Sequence, residues 1–210
     1  MCNRYQQAET EAARRALKVL EVEAFNSAGS IIHPQGQGEV VRLLEGQRTI
    51  SQMTWGFPLI LAAERKRAIE LGKLPKPKPV NNARSDKLTS QFWSRWTGTE
   101  YRCVIPVQRY AEAYGTKGSM KEAWVSSADE EFFAVAGLWR PSDQWGNCYT
   151  MIMTDAVGEA SKVHSRMPVI LKQESISTWL NDQIERVVDM CGPWDGNAEI
   201  EWTNSPWKIG

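Results

Sequence analysis

The sequence predicts an α+β domain built on an antiparallel, barrel-like sheet with flanking helices, and three observations carry that expectation. Runs rich in β-branched and aromatic residues fill the middle of the chain, helical patterns occur only near its two ends, and no internal repeat divides it. Glu9 to Phe25 is dense in helix formers with acids in its first turn, so a helix is expected there. The runs Glu39 to Leu44 and Thr49 to Trp55 read as strands, joined into a hairpin by Leu44-Glu45-Gly46-Gln47-Arg48. Further strands are expected over Arg102 to Val107, Glu122 to Ser126, Glu131 to Trp139, Cys148 to Thr154 and Met167 to Leu171. From Ser175 to Met190, the residues Ile176, Trp179, Leu180, Ile184, Val187 and Val188 recur at helical spacing until Gly192-Pro193 stops the pattern. Leu74-Pro75-Lys76-Pro77-Lys78-Pro79 reads as an extended surface loop inside one domain, because proline cannot join a ladder.

A chain of 210 residues, 42% of them hydrophobic, is long enough to bury a core without disulfides or a structural metal. One domain spanning residues 1–210 is therefore expected. No apolar run reaches the roughly 18 residues of a membrane span, and Met1 to Gln7 lacks the layout of a secretory signal. These features predict a cytoplasmic protein, nucleoid-associated if bacterial, and a monomer. Cys2, Cys103, Cys148 and Cys191 form no CxxC pair, and with only His33 and His164 in the chain no metal or cofactor is expected. Gly36-Gln37-Gly38 is a fragment of a dinucleotide-binding pattern and reads as a turn, and His33 reads as a loop residue.

Twenty-five basic residues balance twenty-five acidic ones, yet the charge is polarised along the chain. Between Glu64 and Trp96 stand nine bases against three acids, with Phe92, Trp93 and Trp96 among them. Between Lys172 and Asn204 stand two bases against seven acids. A basic stretch carrying aromatics suits phosphates and unpaired bases, and equally suits a solvated helix face. Trp55, Phe57, Trp93 and Trp96 are candidates for a base platform, although most of ten tryptophans in one domain must be core. Cys103, Cys148 and Cys191 lie in or beside apolar runs and are expected to be buried and inert.

Cys2 carries the most chemistry. Loss of Met1 would leave a 1,2-aminothiol whose α-amine, with a pKa of about 7.7–8.0, is substantially neutral near neutral pH and attacks aldehydes. The thiol then closes on the imine carbon to give a thiazolidine. The same thiol could also attack an amide as a thiolate.

Met1-Cys2-Asn3-Arg4-Tyr5 resembles the start of the SRAP family, the SOS response-associated peptidases or abasic-site processing proteins. Further matches follow in the family's order: Trp55-Gly56-Phe57-Pro58, Asn82-Ala83-Arg84-Ser85-Asp86, Cys103-Val104-Ile105-Pro106 running to Tyr110-Ala111-Glu112-Ala113-Tyr114, Ala136-Gly137-Leu138-Trp139, and His164-Ser165-Arg166-Met167-Pro168. The resemblance implies an SRAP-like fold and covalent capture of abasic sites in single-stranded DNA by Cys2. It implies roles for Asn82 in positioning the amine and sugar, Glu112 in acid-base work, His164 as a proton donor or acceptor, and Arg4 and Arg84 at phosphates, with Trp55 and Phe57 at the DNA. By residue type alone, Asn82 reads as well as a cap for a helix near Ser85, Glu112 as a solvated carboxylate, and His164 as a core histidine. The stretch from Leu59 to Pro79 is more basic than the family's pattern.

The leading expectation is a protein that crosslinks to abasic sites after releasing Met1. The alternative is a thiol peptidase or amidohydrolase using Cys2, His164 and Glu112. A non-catalytic single-strand-binding module is the second alternative.

Overall fold

Fourteen strands and four α-helices build the described part of the chain, which in this computed structural model is residues 2–22 and 29–207. In chain order they are β1 (Arg4–Gln7), α1 (Thr10–Ala16), β2 (Glu21–Val22), β3 (Ile31–Ile32), β4 (Gln37–Leu44), β5 (Gln47–Trp55), β6 (Phe57–Leu59), α2 (Ala62–Glu70), β7 (Lys78–Val80) and β8 (Asn82–Arg84). After them come β9 (Arg102–Tyr114), β10 (Lys121–Ser127), β11 (Phe133–Arg140), β12 (Cys148–Asp155), β13 (Arg166–Pro168), α3 (Ile176–Asn181), α4 (Ile184–Val187) and β14 (Ala198–Pro206). No helix among the described residues is long and apolar enough to cross a membrane.

Twelve strands form one sheet, while β6 and β7 make a separate two-stranded ribbon. The path β11-β12-β5-β4-β9 returns to its start through a direct β9–β11 ladder, so five strands form a ring of pairings. The sheet is mixed, which corrects the antiparallel expectation. β12 runs parallel to both β5 and β8, and β2 runs parallel to β5. The long connections between these partners, carrying whole strands and helices, permit what a tight hairpin could not.

Alternation along the ring strands divides the core in two. Val40, Ile105, Val135, Met151 and Met153 belong to one cluster, their neighbours Val41, Val104, Ala136 and Ile152 to the other. Successive side chains on a strand point to opposite faces, so each face of the ring is packed. The first cluster also holds Cys2, Tyr5, Trp55 and Tyr110.

The β4–β5 hairpin turns on Glu45 and Gly46 with φ of 51° and 79°, the two left-handed residues that a two-residue turn matching strand twist requires. The first helix is much shorter than its composition suggests. Lys18 takes φ of 51° and stops α1, after which Leu20 and β2 attach to β5. Val19 and Val22 favour strand over helix, and positions 23–25 of the expected helix lie outside the described residues. The late helix is also broken, because the Arg102 guanidinium takes the carbonyls of Trp179 at 2.9 Å and Asp182 at 2.6 Å. The Lys-Pro segment enters a ladder after all: Pro79 sits opposite Pro58 in the β6–β7 ribbon, an edge where two missing donors do no harm.

Gly38 lies within β4 rather than in a turn, and its hydrogen side faces two tyrosines. A Cβ there would stand 2.2 Å from both the Tyr5 and Tyr149 hydroxyls, which hydrogen-bond each other. Gly38→Ala is expected to destabilise the fold by about 1–3 kcal/mol, the usual cost of overpacking a filled core. Urea denaturation measures it, and an unchanged midpoint would show that the tyrosine pair yields freely.

Candidate functional site

The N-terminal segment is held at the centre of the molecule by β1, which pairs with β9 on one side and β3 on the other. Cys2 and Tyr5 are fully buried. The Cys2 thiol donates to the Arg4 carbonyl at 3.4 Å. Its own carbonyl oxygen receives two side-chain amides, Asn82 Nδ2 at 2.7 Å and Asn81 Nδ2 at 2.8 Å. Asn81 Nδ2 also reaches Asn3 Oδ1 at 3.0 Å. Both lone pairs of one main-chain carbonyl are thus engaged, which fixes the backbone on which the thiol and the residue's nitrogen stand.

The two asparagines can do this because β8 lies parallel along β12, with Met151 opposite Asn82. The Asn81 carbonyl accepts from Met151 N at 3.1 Å and from the Trp55 indole at 3.0 Å. Asn82 is a strand residue; the short 3₁₀ turn at Ser85–Lys87 is preceded by Arg84, so the capping reading of Asn82 does not hold. Asn82 Oδ1 is buried with no hydrogen-bond partner among the described residues, an acceptor available to a donor brought into the site.

Glu112 stands on β9, buried and on the same strand face as Tyr110. It is not a solvated carboxylate. Burial pushes its carboxyl up to about 7, so both protonation states are populated near neutral pH. Burial also pushes the Cys2 thiol well above its ordinary range, with the nearby Glu112 carboxylate adding to the rise. The resident form at Cys2 is therefore the neutral thiol.

His164 lies in the segment before β13, half-buried, and its Nδ1 accepts the Arg166 N–H at 3.0 Å. That bond places the proton of the neutral imidazole on Nε2. Burial lowers the ring's pKa and favours this neutral form. Arg166 in turn reaches Asp155 at 3.5 Å and Asp86 at 3.8 Å, tying the His164 segment to the residues that follow Asn82. Arg84 of β8 and Pro168 of β13 both sit opposite Met153. The structure thus joins Asn82 to Cys2 by a hydrogen bond, sets the Glu112 carboxylate close enough to act on the Cys2 thiol electrostatically, and lays the strands next to Asn82 and His164 along one strand, β12.

Asn81 was not singled out from the sequence, although the Asn81-Asn82 pair just before Ala83-Arg84 was its signal. The expected DNA contacts fare less well. Trp55 and Phe57 have no exposed surface, and Trp93 is 7% exposed, so these rings offer no face to a base. Their bulk is spent in the two cores. Arg4 is ion-paired with Glu122 and lies 4.9 Å from the Trp207 ring centre, and Arg84 is bound in bidentate fashion by Asp86 at 2.9 and 2.6 Å. Both guanidiniums already have anionic partners. Cys103, Cys148 and Cys191 are buried, as their apolar settings suggested.

The family model described as SOS response associated peptidase (SRAP) matches residues 1–205. The chain belongs to the SRAP family. Membership associates it with the response to DNA damage. No curated protein matches the sequence significantly. Among solved structures, a protein from Bordetella bronchiseptica is 21% identical with a TM-score of 0.74, covering 96% of this SRAP chain and 99% of its own. A protein from Bacteroides thetaiotaomicron is 18% identical at a TM-score of 0.71, covering 96% and 91%. A phage-related protein from Bordetella bronchiseptica is 15% identical at 0.74, covering 99% of each chain. At these identities the likeness is one of fold.

Proposed function

We propose that this SRAP protein captures abasic sites in single-stranded DNA as a covalent thiazolidine at Cys2, shielding the lesion. The observation that carries the reading is the clamp of Asn81 and Asn82 on the Cys2 carbonyl, with the buried Glu112 carboxyl close enough to act on the thiol. Hydrolytic release of Met1 turns the Cys2 nitrogen into an α-amine. This amine adds to the aldehyde of the ring-opened sugar, and the carbinolamine loses water to give an imine. The thiol sulfur then bonds to the imine carbon while its proton passes to nitrogen, so the product is the aldehyde plus aminothiol less one water.

Each neighbour has a task. Protonated Glu112 donates to the departing hydroxyl and, as carboxylate, accepts the thiol proton. His164, with Nε2–H as its donor, assists opening of the sugar. Asn82 Oδ1 accepts from the attacking amine.

The test is to mix protein of verified mature N-terminus with an oligonucleotide carrying one abasic site. A heat-stable adduct of the mass of both partners less one water is expected; its absence would overturn the reading. The rate has a predictable pH profile. The neutral amine, with a pKa of about 7.7–8.0, gives a limb rising with pH, and loss of the Glu112 proton above about 7 gives a falling one. A bell centred between these values is expected. Glu112→Gln has no proton to lose in this range, so its rate should fall by about 10²-fold and its alkaline limb should disappear.

A further inference from the structure

The arginines assigned to phosphates from the sequence are occupied by carboxylates, whereas Arg65, Arg95 and Arg140 are among those that are not. Among the described residues, these three have no carboxylate within ion-pairing distance. Arg140, at the end of β11, is half-buried. Its guanidinium is pinned by the carbonyls of Pro58 at 3.0 Å and Pro141 at 3.2 Å, and lies 5.0 Å from the Phe57 ring centre and 5.3 Å from that of Trp96. Arg95 approaches the same Trp96 ring at 5.9 Å. Two like charges therefore flank one indole. The ring attracts both, and no carboxylate of the described residues pairs with either.

Beside Arg140 opens a cavity of about 320 Å³ lined by Pro58, Leu59, Arg65, Arg140, Ser142 and Asp143, among others. Arg140 Nε is buried without a hydrogen-bond partner. The Ser142 hydroxyl oxygen accepts the N–H groups of Gln144 at 3.2 Å and Trp145 at 3.4 Å, which leaves one proton to donate, shared with the neighbouring Cys148 sulfur. A fixed guanidinium, a flexible one from the exposed face of α2 and a hydroxyl donor make a set suited to a singly charged oxyanion. Asp143, the acid of the lining, is exposed and sets a limit on how much negative charge the cavity accepts.

The cavity is connected to the Cys2 clamp through the β6–β7 ribbon. Pro58, whose carbonyl holds Arg140, pairs with Pro79, and three residues further along the same chain Asn82 holds Cys2. That is on the order of 10 Å of extended strand. We propose that this cavity binds a backbone phosphate of the same single strand whose abasic sugar reaches Cys2, with Arg140 as its anchor and Arg65 and Ser142 as further donors. The inference rests on the single-strand part of the function proposed above and adds to it the contact that sets the strand's path. The arm from Leu59 to Pro79, more basic than the family's pattern, carries Arg65 into this position.

The experiment measures binding of a fluorescein-labelled, undamaged oligothymidylate by anisotropy over a series of salt concentrations, for wild type, Arg140→Gln and Arg65→Ala. Each variant is expected to bind about fivefold to tenfold more weakly, with a salt slope shallower by about 0.7 for the lost contact. The DNA concentration giving half-maximal adduct with an abasic oligonucleotide should rise by the same factor. Arg65 is on an exposed helix face, so its variant tests the site even where loss of Arg140 disturbs the packing of Phe57 and Trp96. Wild-type affinity and slope in Arg65→Ala and in a folded Arg140→Gln would overturn the proposal. So would a thermal shift by inorganic phosphate that Arg140→Gln abolishes while oligothymidylate binding stays intact, since the site would then serve a free anion. If wild type forms no adduct but Arg140→Gln still loses oligothymidylate affinity, the crosslinking chemistry fails and the phosphate site stands.

Discussion

Cys2→Ala, with its first residue removed and checked by intact mass, is expected to give no heat-stable adduct with an abasic oligonucleotide. The loss should exceed the ~10²–10⁴-fold that removal of a single proton-transfer group produces, because the bond-forming sulfur itself is gone. Cys2→Ser separates the two steps. It keeps the α-amine, and the clamp from Asn81 and Asn82 acts on the main-chain carbonyl, so the imine should still form. A hydroxyl closes poorly on that imine, and the adduct should survive only after reduction with borohydride. Undiminished, heat-stable adduct from either variant would place the chemistry on another residue.

Arg102→Leu is expected to cost about 3–5 kcal/mol of stability, because it strips the donor from three carbonyls at about 1–3 kcal/mol apiece. Arg102 is 1% exposed and donates to the carbonyls of Thr97, Trp179 and Asp182, while its guanidinium lies 5.3 Å from the Trp179 ring centre. Leucine fills much of the volume but leaves three carbonyls without their donor. For a chain of this size the loss corresponds to a fall in melting temperature of roughly 10 °C. A thermal scan followed by tryptophan fluorescence would show it. A shift of only a degree or two would mean that the α3–α4 break is set by the local sequence instead.

The strands of the ring were legible because their apolar residues are both numerous and β-branched, and runs such as Cys148 to Thr154 needed no partner to be recognised. Their parallel pairings were not legible. A strand's composition records that it is buried on both faces, while the choice of β8 and β5 as neighbours of β12 is made by distant chain segments. β14 was missed for the opposite reason: Glu199, Glu201, Trp202 and Asn204 are exposed on a strand paired only with β10, so no apolar rhythm marks it. The broken late helix shows a third limit. Its periodicity is real, and a single buried arginine from β9 captures the carbonyls that would have continued it.

At the site, the family resemblance singled out Cys2, Asn82, Glu112 and His164 as candidates, whereas the partners of the charged groups were invisible. Arg4 and Arg84 look alike in sequence to Arg140. What distinguishes them is Glu122 and Asp86 standing beside the first two. Aromatic residues misled in the same way, since Trp55 reads as a candidate platform for bases and proves to be the support for the Asn81 carbonyl.

The hold on position 2 grips a peptide carbonyl, the one part of the residue that every amino acid shares. In the proposed crosslinking reaction the clamp serves as a seat for a terminal nucleophile, with the warhead specified by the side chain and the seating specified by Asn81 and Asn82. A semisynthetic chain beginning with selenocysteine, or with an α-hydrazino acid in place of the amine, should seat as cysteine does. Such chains would turn the protein into a reagent whose bond to an exposed aldehyde can be made faster, slower or permanent by choice.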